Sequence, residues 1–192
     1  MANTLSQVDW IQAGFRALTS GGHTAIKAEV LAKELNVSKG SFYWHFDNLP
    51  AFKDAMLEHW VALGTESIII EISERETDPS KQLRLLIHTI TADINVPYGG
   101  LLAEAAIRNW ARFDSKVSQF VSGVDQSRIK YLTTLFRRAG GSAGISRQYA
   151  ILLYGALIGL EYLSHEKLAK LKSDLPVLLD LLLKSLKQGE KT

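Results

Sequence analysis

Residues 37–46 read VSKGSFYWHF, and the short helix that they predict decides how the N-terminal part of the chain folds. Ser38 is a favourable N-cap, because its hydroxyl can accept an unpaired backbone N–H of the first helical turn. Phe42 and Phe46, four residues apart, predict the buried face of the helix. Four side chains are left on or beside the outward face: Ser41, Tyr43, Trp44 and His45. Exposed aromatic residues there indicate a binding partner, and packing of Tyr43 and Trp44 on a neighbouring helix is the alternative.

Two more helices are predicted on the N-terminal side of this segment. Apolar residues recur every three or four positions from Val8 to Leu18, in a helix that ends at Gly21 and Gly22, and a second helix stops near Asn36. Only three residues then separate the second helix from the third. This spacing predicts a helix-turn-helix, whose second helix lies in the DNA major groove. Lys39 adds a cation at the start of that helix, and Gly40 has no side chain to keep the backbone from DNA.

The rest of the chain continues the helical periodicity, and the alternation typical of strands is absent. A longer helix runs from Pro50 towards Glu74. Further helical segments follow, with breaks at residues 97–100, near Asp114, at residues 140–144 and around residues 172–173. The expected fold is all-α, with about nine helices. We expect a helix-turn-helix domain of three helices at residues 1–48, and a second helical domain at residues 49–192.

The last two predicted helices, at residues 146–164 and 175–186, have more apolar surface than one small bundle can cover. We expect the excess to be buried in an oligomer interface. Gly155 and Gly159 have the GxxxG spacing, which lets another helix backbone approach closely. Packing inside the same subunit is the alternative explanation for these two glycines.

Composition excludes several classes of protein. The chain has 192 residues and no cysteine, which excludes disulfides, thiolate nucleophiles and metal sites built on sulfur. Its 22 basic and 20 acidic side chains nearly balance, so nucleic-acid binding would depend on where single cations lie. The longest apolar stretch, residues 150–160, is too short to span a bilayer, and the N-terminus lacks the pattern of a signal peptide. The expected location is the cytoplasm.

Sequence motifs for catalysis are also absent. The chain contains no GxSxG nucleophile elbow, no GxxxxGK phosphate loop and no GxGxxG dinucleotide motif. Glu161 and His165 lie four residues apart and could share a metal ion on one helical face, but no third ligand accompanies them. We therefore expect no enzyme, no cofactor and no metal site, and a solvated or hydrogen-bonded pair at Glu161 and His165.

From about Val8 to Met56 the sequence resembles the TetR family of transcriptional regulators, most closely at VSKGSFYWHF. The remaining two-thirds of the chain resembles the family only in layout. The resemblance implies these DNA contacts: Lys27, Ser38, Lys39, Gly40, Ser41, Tyr43, Trp44, His45 and Lys53. Base reading would fall mainly to Lys39, Ser41 and Trp44, and Tyr43 would bind phosphate.

Two positions depart from the family pattern. The family usually has a small hydroxyl residue where Lys27 stands, and a basic residue where Leu49 stands. Lys27 keeps a plausible phosphate contact because it is cationic. The apolar Leu49 cannot make the phosphate contact of the usual basic residue, and Lys53, one turn later, is the candidate to replace it. The resemblance with these departures implies modest, strongly salt-dependent DNA affinity.

The same resemblance implies a ligand pocket and a dimer interface in the C-terminal domain. Candidate ligand-binding residues are Trp60, His88, Trp110, Phe113 and Tyr154, with core packing as the alternative for Trp110. Candidate interface residues are Gly155, Gly159 and Tyr162.

The implied function is a ligand-responsive transcriptional regulator, in the expected mode a repressor. It would bind palindromic operator DNA as a homodimer and be released by a small-molecule effector. The alternatives are a corepressor-dependent regulator, a helical enzyme, or a dimeric scaffold that uses the C-terminal cavity.

Overall fold

The computed structural model describes residues 5–92, 98, 101–163 and 167–189, and these residues form an all-α fold without any strand. Their α-helices are α1 (Gln7–Gly21), α2 (Ala28–Glu34), α3 (Lys39–His45), α4 (Leu49–Val61), α5 (Ser67–Arg75), α6 (Pro79–Thr91), α7 (Leu101–Ala111), α8 (Ser115–Arg138), α9 (Ala143–Leu163) and α10 (Lys167–Gly189). A 3₁₀ turn, His23–Ala25, follows α1. A π-helical segment, Ala62–Glu66, joins α4 and α5 into one continuous run, so the described residues contain nine separate helices. The predicted fold class is confirmed.

Side-chain caps fix where several of these helices begin. Ser6 and Asp9 form a capping box at α1, in which each side chain accepts a backbone N–H of the other residue. Asn48 accepts from the N–H of Ala51 at 2.9 Å and starts α4. Asp78 starts α6 in the same way. These caps satisfy donors that a helix leaves unpaired.

The helix break predicted around residues 172–173 is wrong, because both residues lie inside α10. The sequence from Ser173 to Pro176 resembles a helix start, since proline is favoured in a first turn. In α10, however, Pro176 lies in the interior, where its ring removes one backbone hydrogen bond. Leu175 and Leu179 are almost fully buried on either side of it. Their burial favours the continuous helix despite the lost bond.

The chain packs as two compact units. Unit 1 contains α1 to α4, α7 and the start of α8, and unit 2 contains α5, α6, the rest of α8, α9 and α10. Packing therefore groups α4 and α7 with the N-terminal helices. The domain boundary predicted at residue 48 divides the chain by function and not by packing. It therefore stays a prediction.

Helix α9 is the long apolar helix of unit 2. It buries Ala150, Leu153 and Tyr154 on one face, together with the carboxyl-bearing Glu161. Among the helices that the structure describes, none combines the length and apolar character needed to cross a membrane.

Close packing of α1 on α4 depends on Gly14. A methyl group built at this position would lie 2.6 Å from the sulfur of Met56 and 2.7 Å from the ring tip of Phe52. Phe52 is fully buried, so its ring has little room to move. We expect Gly14→Ala to lower the free energy of unfolding by about 1–3 kcal/mol through overpacking.

Gly123→Ala is the matched control, since Gly123 lies inside α8 and an added methyl group would meet nothing within 4 Å. It should raise the free energy of unfolding by about 0.5–1 kcal/mol, because alanine is the better helix former. Urea unfolding followed by circular dichroism measures both. Equal effects of the two substitutions would contradict the close contact at Gly14.

Candidate nucleic-acid interface

A cluster of aromatic rings holds one face of α3 inside unit 1. Phe42 is fully buried, and its ring packs edge to face against Trp10 of α1 at 5.4 Å and against Phe52 of α4 at 5.3 Å. Phe46 completes the cluster, 5.5 Å from Phe42 and 4.8 Å from Phe52. Such offset and edge-to-face contacts stabilise beyond the buried area alone. The inward face predicted from Phe42 and Phe46 is thus the one observed.

The turn between α2 and α3 is tight. Asn36 has φ 56°, in the left-handed region that asparagine tolerates better than most residues. The N–H of Val37 donates to the carbonyl of Ala32 at 2.9 Å, which ties the turn back to α2. Ser38 is the N-cap residue of α3, but its hydroxyl makes no capping hydrogen bond, so that part of the prediction is wrong. Its carbonyl instead accepts from the N–H of Ser41 at 3.0 Å.

Two aromatic side chains on α3 face solvent. Trp44 is 89% exposed, so packing on a neighbouring helix does not account for it. Tyr43 is 52% exposed, and its ring rests edge to face on Phe42 at 5.3 Å. This contact fixes the tyrosine ring and leaves its outer part open to solvent. Near-complete exposure of a tryptophan indicates a surface that meets another molecule.

The remaining α3 candidates lie beside these rings. Lys39 and Gly40 are exposed, whereas Ser41 and His45 are half-buried. The His45 ring lies 6.4 Å from that of Trp10, and its carbonyl accepts from the side-chain amide of Gln7 at 3.0 Å. Of these four residues, the two at the start of α3 are the more accessible.

Glu29 on α2 is a residue that the sequence reasoning missed. Its carboxylate accepts a hydrogen bond from the ammonium of Lys39, which starts α3. This bond lowers the pKa of Glu29 and raises the pKa of Lys39 from their ordinary values. Both groups are exposed to water, which screens their attraction. The two residues are ten positions apart, and only the geometry of the turn reveals that they meet.

Two further cations of the predicted interface lie on α2 and α4. Lys27 is exposed and is the N-cap residue of α2, where its side chain makes no capping bond. The ammonium of Lys53 lies 5.3 Å from the ring centroid of Trp110, a cation–π contact inside unit 1. Leu49 is half-buried at the first position of α4. Lys53 therefore contacts Trp110 of α7, and its predicted phosphate contact stays a prediction.

The five candidate ligand residues fall in both units. Trp60, Trp110 and Phe113 belong to unit 1, whereas His88 and Tyr154 belong to unit 2. Trp60 is buried, with its ring 6.5 Å from that of Phe120.

Trp110 and Phe113 both contact the same ring in unit 1, the imidazole of His23. Trp110 is only 2% exposed, in keeping with the core role left open for it, whereas Phe113 is 70% exposed. Both rings stack on the His23 imidazole, at 6.5 Å and 5.6 Å.

In unit 2, Tyr154 belongs to a partly buried polar network. Its hydroxyl donates to Asp125 at 2.7 Å and accepts from Arg128 at 3.3 Å. Arg128 also donates to the hydroxyl of Thr65 at 2.9 Å and to the carbonyl of Gly64 at 3.2 Å. Thr65 and Gly64 lie in the π-helical segment that continues α4 into α5. Arg128 therefore supplies hydrogen bonds to backbone and side chain where the helix is irregular.

The part of the chain that the structure describes contains no cluster of three or more histidine or carboxylate side chains that could hold a metal ion. His165, half of the pair with Glu161, lies outside the described residues. Glu161 itself is buried in α9.

The candidate dimer residues lie on an accessible part of α9. Tyr162 is exposed, Gly155 is exposed and Gly159 is half-buried. A methyl group built on either glycine would meet nothing within 4 Å, so packing within the subunit does not require glycine there. Leu152, on the same helical face, is also exposed. On α10, which packs against α9, Val177 and Leu181 are exposed as well.

Several solved structures are similar to this chain over almost its whole length. A transcriptional regulator from Rhodococcus sp. Rha1 is 18% identical, covers 96% of this chain and 97% of its own, and has a TM-score of 0.70. A TetR-like transcriptional regulator from Rhodococcus sp. RHA1 is 14% identical, with coverages of 100% and 98% and a TM-score of 0.69. The multidrug binding protein EbrR, complexed with malachite green, is 17% identical, with coverages of 91% and 96% and a TM-score of 0.67.

The chain has the TetR fold. No protein-family model and no curated protein matches the sequence. The TetR fold nevertheless extends over the C-terminal two-thirds, where the sequence resembles the family only in layout. The resemblance stated for residues 8–56 is thereby confirmed at the level of the fold.

Proposed function

We propose that this chain is a ligand-responsive transcriptional repressor that binds palindromic operator DNA as a homodimer and is released by a small-molecule effector. The observation that carries the proposal is the exposed face of α3, with Trp44 almost fully in water beside Tyr43. The opposite face of α3 is fixed by the packing of Phe42, so the helix is held rigidly with its other face open. The major groove of B-DNA admits such a helix and offers thymine methyl groups to apolar side chains. A regulator of this kind acts in the cytoplasm, on the DNA there.

Within this proposal the α3 residues divide between base reading and backbone contact. Lys39, Ser41 and Trp44 read bases, and Tyr43 binds phosphate through its hydroxyl. The exposed positions around them, Lys27, Ser38 and Gly40, bring backbone and charge to the phosphates. Lys39 must leave Glu29 in order to contact DNA. The negative Glu29 carboxylate also repels the phosphates, so Glu29 weakens DNA binding.

Dimerisation sets the spacing of the two α3 helices. Two recognition helices must lie about 34–36 Å apart to enter successive major grooves on one side of the duplex. The exposed apolar side chains of α9 and α10 supply the surface for this dimer, with Gly155, Gly159 and Tyr162 in the contact.

The Arg128 network offers a route for the ligand response. Arg128, which also donates to Tyr154, holds Gly64 and Thr65, and these two residues continue the helical run that begins with α4. A ligand that binds better when this network is rearranged shifts the equilibrium by its difference in affinity for the two states. The bound dye in EbrR, which has the same fold, supports a small organic molecule as effector. A ligand with the opposite preference acts as a corepressor.

In vitro selection from random duplex DNA tests the proposal without knowledge of the operator or ligand. We expect the purified protein to enrich a palindrome whose half-sites lie one helical turn apart, and to bind it more tightly at low salt than at physiological salt. Enrichment of no sequence at either salt would contradict a repressor that binds DNA without ligand. Enrichment of a single half-site would contradict the dimer.

The pair of Glu29 and Lys39 predicts an unusual gain of affinity. Glu29→Gln should tighten binding to specific and random duplexes alike by several-fold at low salt, because it removes a negative charge near phosphate. Glu34→Gln is the matched control, since Glu34 also lies on α2 but pairs with Arg16 of α1. Fluorescence anisotropy of labelled duplexes measures both. Equal effects of the two variants would show that Glu29 is remote from the DNA.

The dimer contact is tested at Gly155. Gly155→Leu should shift the sedimentation mass from dimer towards monomer, because the side chain would separate the two backbones at the close contact. Gly144→Leu is the control: it lies in the first turn of α9, with the same open space around it, and should stay dimeric. An unchanged dimer for Gly155→Leu would remove Gly155 from the interface.

A further inference from the structure

Unit 2 contains a cavity between α6 and α10, two helices that pack against each other. Its volume is about 620 Å³, inside the range of about 300–1,000 Å³ that is usual for small-molecule sites. The side chains that line it include Ile87, His88, Thr91, Lys172, Pro176 and Leu179. On each helix these positions recur every three or four residues, so one face of α6 and one face of α10 form the walls.

The wall of the cavity is largely aliphatic. Ile87 and Leu179 are almost fully buried, so they form a fixed surface. Pro176 adds its ring, and Ala92, which follows α6, adds a methyl group. The hydroxyl of Thr91 donates to the carbonyl of Ile87 at 2.7 Å, so it is already used within α6. The wall therefore offers an occupant van der Waals contact and little hydrogen bonding.

The cations at the rim of the cavity are already engaged within the protein. Arg84 forms an ion pair with Asp180, which follows Leu179 on α10. Lys172 also has an interaction partner in the structure. A charged ligand would lose hydration against the aliphatic wall, and at the rim it would have to compete with these existing partners. The rim therefore favours an occupant without a net charge.

His88 supplies a polar contact at the rim. It is exposed and follows Ile87 on α6, so its imidazole lies beside the aliphatic wall. A neutral imidazole has one nitrogen that donates a hydrogen bond and one that accepts. A hydroxyl group can bond to either nitrogen, which makes an alcohol complementary to this position.

We infer that this cavity binds a small uncharged aliphatic molecule that carries a hydroxyl group. The chain would pack on Ile87, Pro176 and Leu179, and the hydroxyl would bond to His88. A carboxylate or an ammonium on the same chain would keep the apolar contacts. It would, however, bring a charge to a rim whose cations already have partners.

This inference names the chemistry of the effector, and it rests on the proposed function only for its consequence at DNA. Calorimetry on the full-length chain tests the binding itself. Octan-1-ol is the probe, and octanoate and octylammonium are anionic and cationic controls of the same chain length. We expect octan-1-ol to bind at one saturable site per chain, and each control about tenfold more weakly. From hexan-1-ol to octan-1-ol, affinity should rise about three- to fourfold per methylene.

A larger side chain at Ala92 tests the position of the site. Ala92→Trp should weaken octan-1-ol severalfold, because the indole takes up part of the cavity from a half-buried position. Ala143→Trp is the control, since Ala143 is exposed at the first position of α9 and does not line the cavity. Circular dichroism checks that both variants are folded.

The hydrogen bond to His88 is tested by two replacements. His88→Phe keeps a ring but removes both nitrogens, so it should weaken octan-1-ol severalfold. His88→Gln keeps a donor and an acceptor, and it should retain most of the affinity. Because His88 is exposed, neither replacement disturbs the core.

Three results would overturn the inference: equal affinities for octan-1-ol and octanoate, equal effects of Ala92→Trp and Ala143→Trp, or no saturable binding up to the solubility of octan-1-ol. An unchanged affinity in His88→Phe would overturn the hydrogen bond assigned to His88. Addition of octan-1-ol to the complex with selected DNA separates this inference from the proposed function. Release of DNA supports both. Binding that leaves the DNA complex unchanged supports the site and removes it from the ligand response.

Discussion

The packing of Phe42 among Trp10, Phe46 and Phe52 determines what α3 shows to the outside. A helix of this length has little stability of its own, so tertiary contacts must hold it. Because Phe42 is fully buried, the helix cannot rotate without opening the aromatic cluster. Tyr43 also rests on Phe42 and shares this constraint. The exposure of Trp44 follows from the same geometry.

Charges in unit 1 are arranged in local pairs, which fits a chain whose basic and acidic residues nearly balance. Lys39 contacts Glu29, Arg16 contacts Glu34 and Lys53 lies over Trp110. An anionic partner therefore meets cations that already have neighbours in the free protein. Its affinity depends on how easily each cation leaves that neighbour, as well as on their number. Salt weakens the two ion pairs too, since both are exposed.

Local signals in the sequence were sufficient for most of the helices and for the buried face of α3, and insufficient for contacts between distant residues. The inward face of α3 could be predicted, because Phe42 and Phe46 lie four positions apart on the same short helix. The pairing of Glu29 with Lys39 depends on the turn between two helices. The π-helical segment near Thr65 has no local motif, and its bond from Arg128 spans 63 positions. The sequence before Pro176 is typical of a helix start, but α10 continues through it because the neighbouring leucines are buried.

The central claim is that the Trp44 face of α3 meets DNA, and acrylamide quenching of tryptophan fluorescence tests it most directly. Trp44 is exposed, whereas the other three tryptophans, Trp10, Trp60 and Trp110, are buried. The free protein should therefore show one accessible component, which Trp44→Phe removes. We expect saturating duplex DNA to abolish that component. DNA binding detected by anisotropy, with Trp44 as quenchable as in the free protein, would contradict the claim.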